Sequence, residues 1–328
     1  MNLKQRGEFW DTLRSLKGES LPDDRERLRQ KIILPPFLFR YRAVSANTLN
    51  ALRTNQLFFS SANYYDDPFD TFLHIDIEQI QTEFERNFSS PEAALQLAGG
   101  MRRFMAGHES ALPAGLVSAA ADAGQLRALF QREIGPFFLS YVLDLRNEVR
   151  KDVWSICFSE NGFNETLWLK YADQYRGFAL VYDLAQADAF DAGERAALYP
   201  VHYGDAPYDA TCFARYVLGQ KLARKMGFPL PPFMEAELRR GVTPWERERI
   251  ALLKKPCHQY DVEWRMIAGG EGQPEPRQWR PAGVILGLRM GASQEQLTIA
   301  LAQSAGIPRI YKSFINARHQ LDAYLLSG

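Results

Sequence analysis

A carboxylate and a guanidinium lie two residues apart in the stretch 260–267, Glu263 and Arg265. The stretch alternates as a β-strand does, so its residues point in turn to opposite faces. One face carries Val262, Trp264 and Met266. The other carries Glu263 and Arg265 beside Ile267. Charges near a core are costly unless they are paired or used. We therefore expect this strand to form the floor of a functional cleft that contains Glu263. A structural ion pair between Glu263 and Arg265 is the alternative interpretation.

A second pair of charges comes early in the chain, where Arg40 and Arg42 share one face of a predicted strand over 37–44. Guanidinium groups bind pyrophosphate or carboxylate groups through two parallel hydrogen bonds. The pair therefore predicts an anion site. Two surface salt bridges are the alternative interpretation.

Acidic and aromatic residues supply the remaining candidates. The loop that contains Asp66, Asp67 and Asp70 can contact a sugar or a cation, although Asp-Pro is also an ordinary turn former. Trp168 and Tyr171 lie three residues apart on a predicted short helix. They can stack on a planar ring, or they can belong to the core.

Several standard signatures are absent from the sequence. It has no GxxxxGK[ST] phosphate loop, no glycine-rich dinucleotide fingerprint and no GxSxG elbow. The five histidines are scattered and lack the spacing of metal ligands on one helix. Cys157, Cys212 and Cys257 are far apart, which favours reduced thiols over a disulfide framework. We predict no metal site.

The overall charge is balanced, with 39 basic and 39 acidic residues among 328. A protein that binds nucleic acid mainly by neutralising phosphates usually has a basic excess, so no broad basic face is implied. The first 20 residues lack an apolar signal-peptide core, and no apolar run approaches the roughly 18 residues of a membrane helix. These patterns predict a cytoplasmic protein without a membrane partner.

The periodicity predicts an α+β fold with a central mixed or antiparallel sheet, flanking helices and a helical insertion. Residues 1–36 form an N-terminal helical segment, and 37–328 form a single domain whose insertion covers about 75–150. Strands are predicted at 37–44, 57–61, 153–159, 177–183, 199–203, 260–267, 283–288 and 307–315. Helices are predicted at 3–32 with a break near 18–22, at 46–54, 164–173, 207–256 and 294–305.

An ordered set of short motifs resembles a widespread bacterial family of uncharacterised proteins. The similarity spans roughly residues 37–290. Asp66 is a departure, because members usually carry Asn there. The motifs are Tyr41-Arg42, Leu49-x-x-Leu52, Phe58-Phe59-Ser60-Ser61, Asp66-Asp67-Pro68-Phe69-Asp70, Cys157-Phe158-Ser159, Trp168-x-x-Tyr171-Ala172, Gly177-Phe178 and Glu263-Trp264-Arg265.

More distantly, the order of elements is similar to that of ADP-ribosyltransferases of the DNA-modifying toxin type. In these, an early strand opens the NAD site and the catalytic Glu begins a late strand. The resemblance implies NAD as co-substrate, with Glu263 stabilising an oxocarbenium ion and Arg265 keeping it ionised. Arg40 or Arg42 would bind the pyrophosphate. The other residues implied at the NAD site are Tyr41, Ser60, Asp67, Phe69, Trp168 and Tyr171, an aromatic among them stacking on nicotinamide.

Three hypotheses follow. The first is an ADP-ribosyltransferase-type enzyme that modifies a nucleic acid or a protein, as a toxin or in phage defence. The second is a non-catalytic module that binds a nucleotide or a partner through the same cleft. The third is a Mg²⁺-dependent nuclease that uses the loop of Asp66, Asp67 and Asp70.

Overall fold

The computed structural model of the chain describes residues 1–89, 95, 98–100, 102–103, 122–129, 132, 135–185, 198–226, 232–268 and 272–327. The chain separates into two units. Met1–Phe72, Asp152–Ala206 and Arg247–Gly328 form the first unit, and Leu73–Lys151 with Pro207–Glu246 form the second.

The strands lie at β1 (Phe37–Arg42), β2 (Gln56–Leu57), β3 (Ser60–Ser61), β4 (Leu73–His74), β5 (Trp154–Ser159), β6 (Phe178–Asp183), β7 (Leu198–Pro200), β8 (His202–Tyr203), β9 (Tyr208–Asp209), β10 (Leu253–Lys254), β11 (Glu263–Ala268), β12 (Arg277–Gln278), β13 (Gly283–Leu286), β14 (Ile310–Ile315) and β15 (Leu321–Ser327).

The helices lie at α1 (Leu3–Ser15), α2 (Leu21–Arg29), α3 (Ala46–Thr54), α4 (Ile77–Ser89), α5 (Ala123–Leu129), α6 (Gly135–Val142), α7 (Leu145–Lys151), α8 (Glu165–Tyr171), α9 (Thr211–Met226), α10 (Pro232–Leu238), α11 (Glu246–Ala251) and α12 (Ala292–Ser304). Two 3₁₀ helices cover Ala62–Tyr64 and Pro256–Asp261.

A mixed sheet forms the centre of the first unit. Its order is β15-β14-β13-β6-β1-β5-β11-β7, with β3 beside β5. The β13–β14 pair is parallel, and the other neighbours along this order are antiparallel. The chain therefore has the predicted mixed sheet with flanking helices.

The two faces of this sheet bury different apolar clusters. The larger cluster includes Trp264 and Met266 of β11, with Leu52 of α3 and Ala302 of α12 packed over it. The smaller cluster gathers around Trp168 of α8 on the opposite face of β1. Alternation of side chains along the central strands directs apolar residues to both faces, so helices cover both.

One glycine permits close packing beside β1. A Cβ atom added to Gly177 would lie 2.0 Å from the carbonyl oxygen of Arg42. Any other residue would therefore push β6 away from β1, with which it pairs along six residues. This close approach gives a physical reason for the Gly177-Phe178 motif.

The second unit is mainly helical in its described part. It contains α4 to α7, α9 and α10, together with the short parallel pair β4–β9. Within it, Arg215 of α9 forms a salt bridge of 2.8 Å with Glu83 of α4. Residues 104–121 of the predicted helical insertion lie outside the described residues. The unit also includes residues 207–246, which follow the sheet strands β5 to β8 in the chain.

Several predicted boundaries need correction. The strand predicted at 260–267 begins only at Glu263, since residues before Val262 form a 3₁₀ helix. The single strand predicted at 199–203 is two strands, and the helical stretch predicted at 207–256 contains β9 and β10. The strands predicted around 37–44, 153–159 and 177–183 are confirmed. Within the described residues no helix is long and apolar enough to cross a membrane.

Candidate functional site

A pocket of about 280 Å³ opens in the first unit beside β1, β5 and β11. In the described residues β1 and β5 pair at one position, Phe39 opposite Ser159. Beyond this pair the two strands are not joined by a ladder, and residues from both strands line the pocket. The two strands thus contribute polar side chains to the pocket near the middle of the sheet.

Glu263 lines this pocket and is bound by two cations. Its Oε1 accepts a hydrogen bond of 2.7 Å from Nε of Arg265, and its Oε2 accepts one of 2.9 Å from Nζ of Lys254. Glu263 is 6% exposed and Arg265 is 1% exposed. Ion pairs with this little solvent are screened weakly, so they hold the carboxylate in one orientation.

Two further carboxylates complete this group. Asp70 accepts a hydrogen bond of 2.7 Å from Nη2 of Arg265, and Asp261 accepts one of 2.8 Å from Lys254. We call Asp70, Lys254, Asp261, Glu263 and Arg265 the charged cluster. It contains one more carboxylate than cation, so it is suited to a neighbouring positive charge.

The charges of the cluster shift its pKa values in both directions. Burial opposes ionisation of Glu263, but Arg265 and Lys254 outweigh it and hold the pKa of Glu263 well below its ordinary value. Burial raises the pKa of Asp261, which Lys254 only partly offsets. Burial also raises the pKa of the Cys157 thiol, which disfavours its thiolate form.

The backbone is strained beside both ends of the cluster. Val262, directly before Glu263, has φ 38°, and Thr71, directly after Asp70, has φ 57°. β-Branched residues rarely adopt this left-handed region, and such strain costs roughly 1–3 kcal/mol per residue. Strained residues of this kind concentrate at functional sites.

Hydrogen bonds from Arg6 of α1 also hold the backbone of β11 in place. Arg6 donates hydrogen bonds from Nη1 to the carbonyl oxygens of Glu263 (2.7 Å) and Val201 (2.8 Å). Its Nη2 contacts Glu160, which accepts a hydrogen bond from Trp264 Nε1. The predicted N-terminal helix therefore fixes the strand that carries Glu263.

Arg40 and Arg42 line a different part of the pocket wall. Arg40 is 7% exposed, yet its Nε has no hydrogen-bond partner within the described part of the chain. Its Nη2 donates a long hydrogen bond of 3.3 Å to the carbonyl oxygen of Phe58. Burial and the nearby Arg42 both lower the pKa of Arg40. Neither guanidinium forms a salt bridge with a described residue, so these two cations lack a neutralising anion.

Hydroxyl groups connect β5 with the charged cluster. The hydroxyl of Tyr65 makes a short hydrogen bond with Ser155 of β5, and the guanidinium of Arg265 lies 5.0 Å from the centre of the Tyr65 ring. Ser159 Oγ donates a hydrogen bond of 2.7 Å to the carbonyl of Asp261. These contacts keep β5 and the residues before β11 in register around the pocket.

A histidine–aspartate pair also lines the pocket. Nε2 of His258, on the 3₁₀ helix before β11, lies 2.9 Å from Oδ2 of Asp67. Oδ1 of Asp67 accepts a hydrogen bond of 2.8 Å from the backbone N–H of Phe69. Oδ2 accepts no hydrogen bond from a described residue, so its contact with His258 is an ion pair that joins the loop of Asp66 to Asp70 to the segment before Glu263.

The structure brings most of the predicted site residues to one pocket, but not all. The residues at the pocket are Arg40, Tyr41, Arg42, Ser60, Asp67, Tyr171, Glu263 and Arg265. Trp168 is fully buried in the smaller cluster, where its Nε1 donates to the carbonyl of Gly162 and its ring meets Tyr41 edge to face. Phe69 is 54% exposed and contacts Lys255 instead of lining the pocket.

Sequence reasoning missed Lys254, His258, Tyr65 and Ser155. Lys254 lay in the stretch predicted as helical and His258 just beyond it, and their contacts with Glu263 and Asp67 depend on the tertiary fold. Tyr65 has a visible signal, because it belongs to the same aromatic and acidic loop as Asp67. The alternation of Ser155, Cys157 and Ser159 on β5 is another signal, since it predicts a polar face on a buried strand.

Within the described residues, no group of three or more His, Cys, Asp or Glu side chains is arranged to hold a metal ion. The carboxylates of the pocket are instead directed at Lys254, Arg265 and His258.

Comparison with protein-family models, with curated proteins and with solved structures gives no significant match for this chain. The resemblances noted from the motifs therefore stay predictions, and the function must be argued from the pocket itself.

Proposed function

We propose that the pocket binds NAD and that the protein cleaves the bond between nicotinamide and ribose, as ADP-ribosyltransferases do. The observation that carries this proposal is the buried guanidinium of Arg40, which lacks an anionic partner while lining a pocket that also holds an ionised Glu263. Leaving a buried donor unpaired costs about 1–3 kcal/mol. A bound phosphate group would remove this cost.

The charge distribution of the pocket suits a ligand that carries both signs. Arg40 and Arg42 offer two cations without anions, and the charged cluster has a surplus carboxylate. NAD has an anionic pyrophosphate and a positively charged nicotinamide ring. Placing the pyrophosphate at Arg40 and the nicotinamide ribose at the charged cluster would balance both regions.

Glu263 is equipped for the role that glycosyl cleavage demands. Each of its oxygens accepts one hydrogen bond from a cation and has a further lone pair for a ribose hydroxyl. Its low pKa keeps it negative, and this charge would stabilise the oxocarbenium character that develops as nicotinamide leaves. Tyr171 and Tyr41 supply the aromatic surface beside this position.

The fold proposal is that the mixed sheet is of the ADP-ribosyltransferase type, with β1 opening the NAD site and β11 carrying the glutamate. The acceptor is proposed to be a nucleic acid or a protein, and the biological setting a toxin or phage-defence system. These statements rest on the order of β1, β5 and β11 around the pocket together with the motif resemblance.

A non-catalytic nucleotide-binding module is the second candidate. It is favoured by one observation: both oxygens of Glu263 are already bound, by Arg265 and Lys254. The nuclease hypothesis has less support, because Asp70 is paired with Arg265 and Asp67 with His258.

Release of nicotinamide from NAD by the purified protein, followed by chromatography, tests the proposal. We expect slow release by the wild type and a decrease of at least about 100-fold in Glu263→Gln, as expected for a lost electrostatic stabiliser. Glu165→Gln removes an exposed carboxylate of α8 that does not line the pocket and is the control. Tight NAD binding without release in the wild type would favour the binding module.

A further inference from the structure

We propose that His258, oriented by Asp67, is the general base that takes the proton of the acceptor after nicotinamide has left. This inference rests on the proposed function, because it assigns a group to the second half of the same reaction. The role of Glu263 leaves the acceptor proton unassigned: a carboxylate that stabilises the oxocarbenium ion and holds two cations is poorly placed to accept a proton as well.

The two ring nitrogens of His258 have different surroundings. Nε2 lies 2.9 Å from Oδ2 of Asp67, an ion-pair contact in which Oδ2 accepts no hydrogen bond from the described part of the chain. The base proposed here is the tautomer whose lone pair is on Nδ1. Within the described residues no hydrogen bond to this Nδ1 occurs, which leaves it available to a bound acceptor.

The surroundings suit a histidine that becomes positively charged during the reaction. Asp67 lies against one nitrogen, and Asp261 is close enough to interact electrostatically with the imidazole. A carboxylate that orients a histidine and stabilises its imidazolium is the arrangement used in other histidine–aspartate pairs. The same pocket also holds the ionised Glu263, so both groups face one bound substrate.

The pair is positioned by two short segments of the chain. His258 lies on the 3₁₀ helix Pro256–Asp261, whose last residue belongs to the charged cluster. Asp67 is fixed by the N–H of Phe69. Three residues further on, Asp70 contacts Arg265. Two members of the charged cluster, Asp70 and Asp261, therefore lie on the same two segments as Asp67 and His258.

The proton and electron balance of the step is simple. The C1′–N bond of NAD breaks and nicotinamide leaves as a neutral molecule with the bonding electrons. An oxygen of the acceptor, or of water, forms the new bond to C1′. Its proton moves to Nδ1 of His258 and from there to solvent.

Azide provides a test, because it is an anionic nucleophile that attacks C1′ without losing a proton. The variant is His258→Gln, which keeps a donor for Asp67 but cannot act as the base. NAD is incubated with the full chain in buffer with and without sodium azide, and ADP-ribose and ADP-ribosyl azide are quantified by mass spectrometry. His74→Gln, an exposed histidine in the second unit, is the matched control.

We expect His258→Gln to form ADP-ribose about 100-fold more slowly than the wild type, the usual scale for a lost general base. Formation of ADP-ribosyl azide should stay within about twofold of the wild type, since azide needs no base. His74→Gln should leave both products unchanged.

Other outcomes overturn the inference in distinguishable ways. Equal loss of both products in His258→Gln would show that His258 supports the fold of the site and is not a base. Unchanged ADP-ribose formation would remove His258 from the reaction while leaving the proposed function intact. A wild type that forms neither product would overturn both the base and the proposed function.

Discussion

The pocket contains two sets of cations whose surroundings are opposite. Arg265 and Lys254 are buried among three carboxylates, and each is within 2.9 Å of at least one of them. Arg40 and Arg42 lie in the same pocket without a carboxylate partner among the described residues. Residue type alone therefore does not show whether a cation of this pocket is paired with a carboxylate.

The difference in pairing indicates that the two sets of cations have different roles. A buried charge that is fully paired keeps neighbouring groups in place, and removing it leaves its partners uncompensated. A buried charge without a partner weakens the free protein and becomes favourable only when an anion arrives. Arg265 thus belongs to the architecture of the site, and Arg40 is directed toward a ligand.

The largest expected effect concerns stability. Arg265→Met leaves Glu263 and Asp70 without their shared cation, and we expect the free energy of unfolding to fall by about 3–5 kcal/mol. Arg40→Met, which removes a buried cation without an anionic partner, should not lower it and should raise it by up to about 1–3 kcal/mol. Urea denaturation measures both. Equal losses in the two variants would contradict the distinction between paired and unpaired cations.

The pH dependence of stability sharpens the description of the paired set. Because the pKa of Glu263 is held below its ordinary value of 4.5, its contribution is present above that pH and is lost as the pH falls below it. The contribution of Asp261 to stability has the opposite pH dependence. Because its pKa is raised above 3.8, this contribution is present at low pH and is lost as the pH rises from 3.8.

We therefore expect Glu263→Gln to lose less stability than the wild type between about pH 5 and 3, with a difference of about 1–2 kcal/mol. Asp261→Asn should lose more than the wild type over the same range. Thermal unfolding at several pH values measures both effects. The same change of stability with pH in all three proteins would contradict the pKa shifts assigned to Glu263 and Asp261.

The main elements of the fold were predictable from local pattern. Alternation and short apolar runs indicated β1, β5 and β6, and the break near residue 18 separated α1 from α2. The start of β11 was not predictable, because Val262 has ordinary strand propensity but adopts a left-handed conformation. That conformation is imposed by tertiary contacts, which no local pattern reports.

The site was predictable only in part. Charged residues within predicted buried strands indicated three of the site residues, Glu263, Arg265 and Arg40. Lys254 did not, since its importance lies in contacts with Asp261 and Glu263 that depend on how β10 pairs with β8. Trp168 and Tyr171 illustrate the same limit: three residues apart on α8, one is core and the other reaches the pocket.

The central claim is that Arg40 binds a phosphate group of the ligand. Calorimetric titration with ADP-ribose tests this claim most directly. The wild type should bind ADP-ribose, and Arg40→Met should bind it about 10- to 100-fold more weakly, which corresponds to a lost charged hydrogen bond of about 1.5–3 kcal/mol. The free energy of unfolding of Arg40→Met should be no lower than that of the wild type, so weaker binding cannot come from a less stable fold. Equal affinity in the two proteins, or no binding to the wild type, would contradict the account.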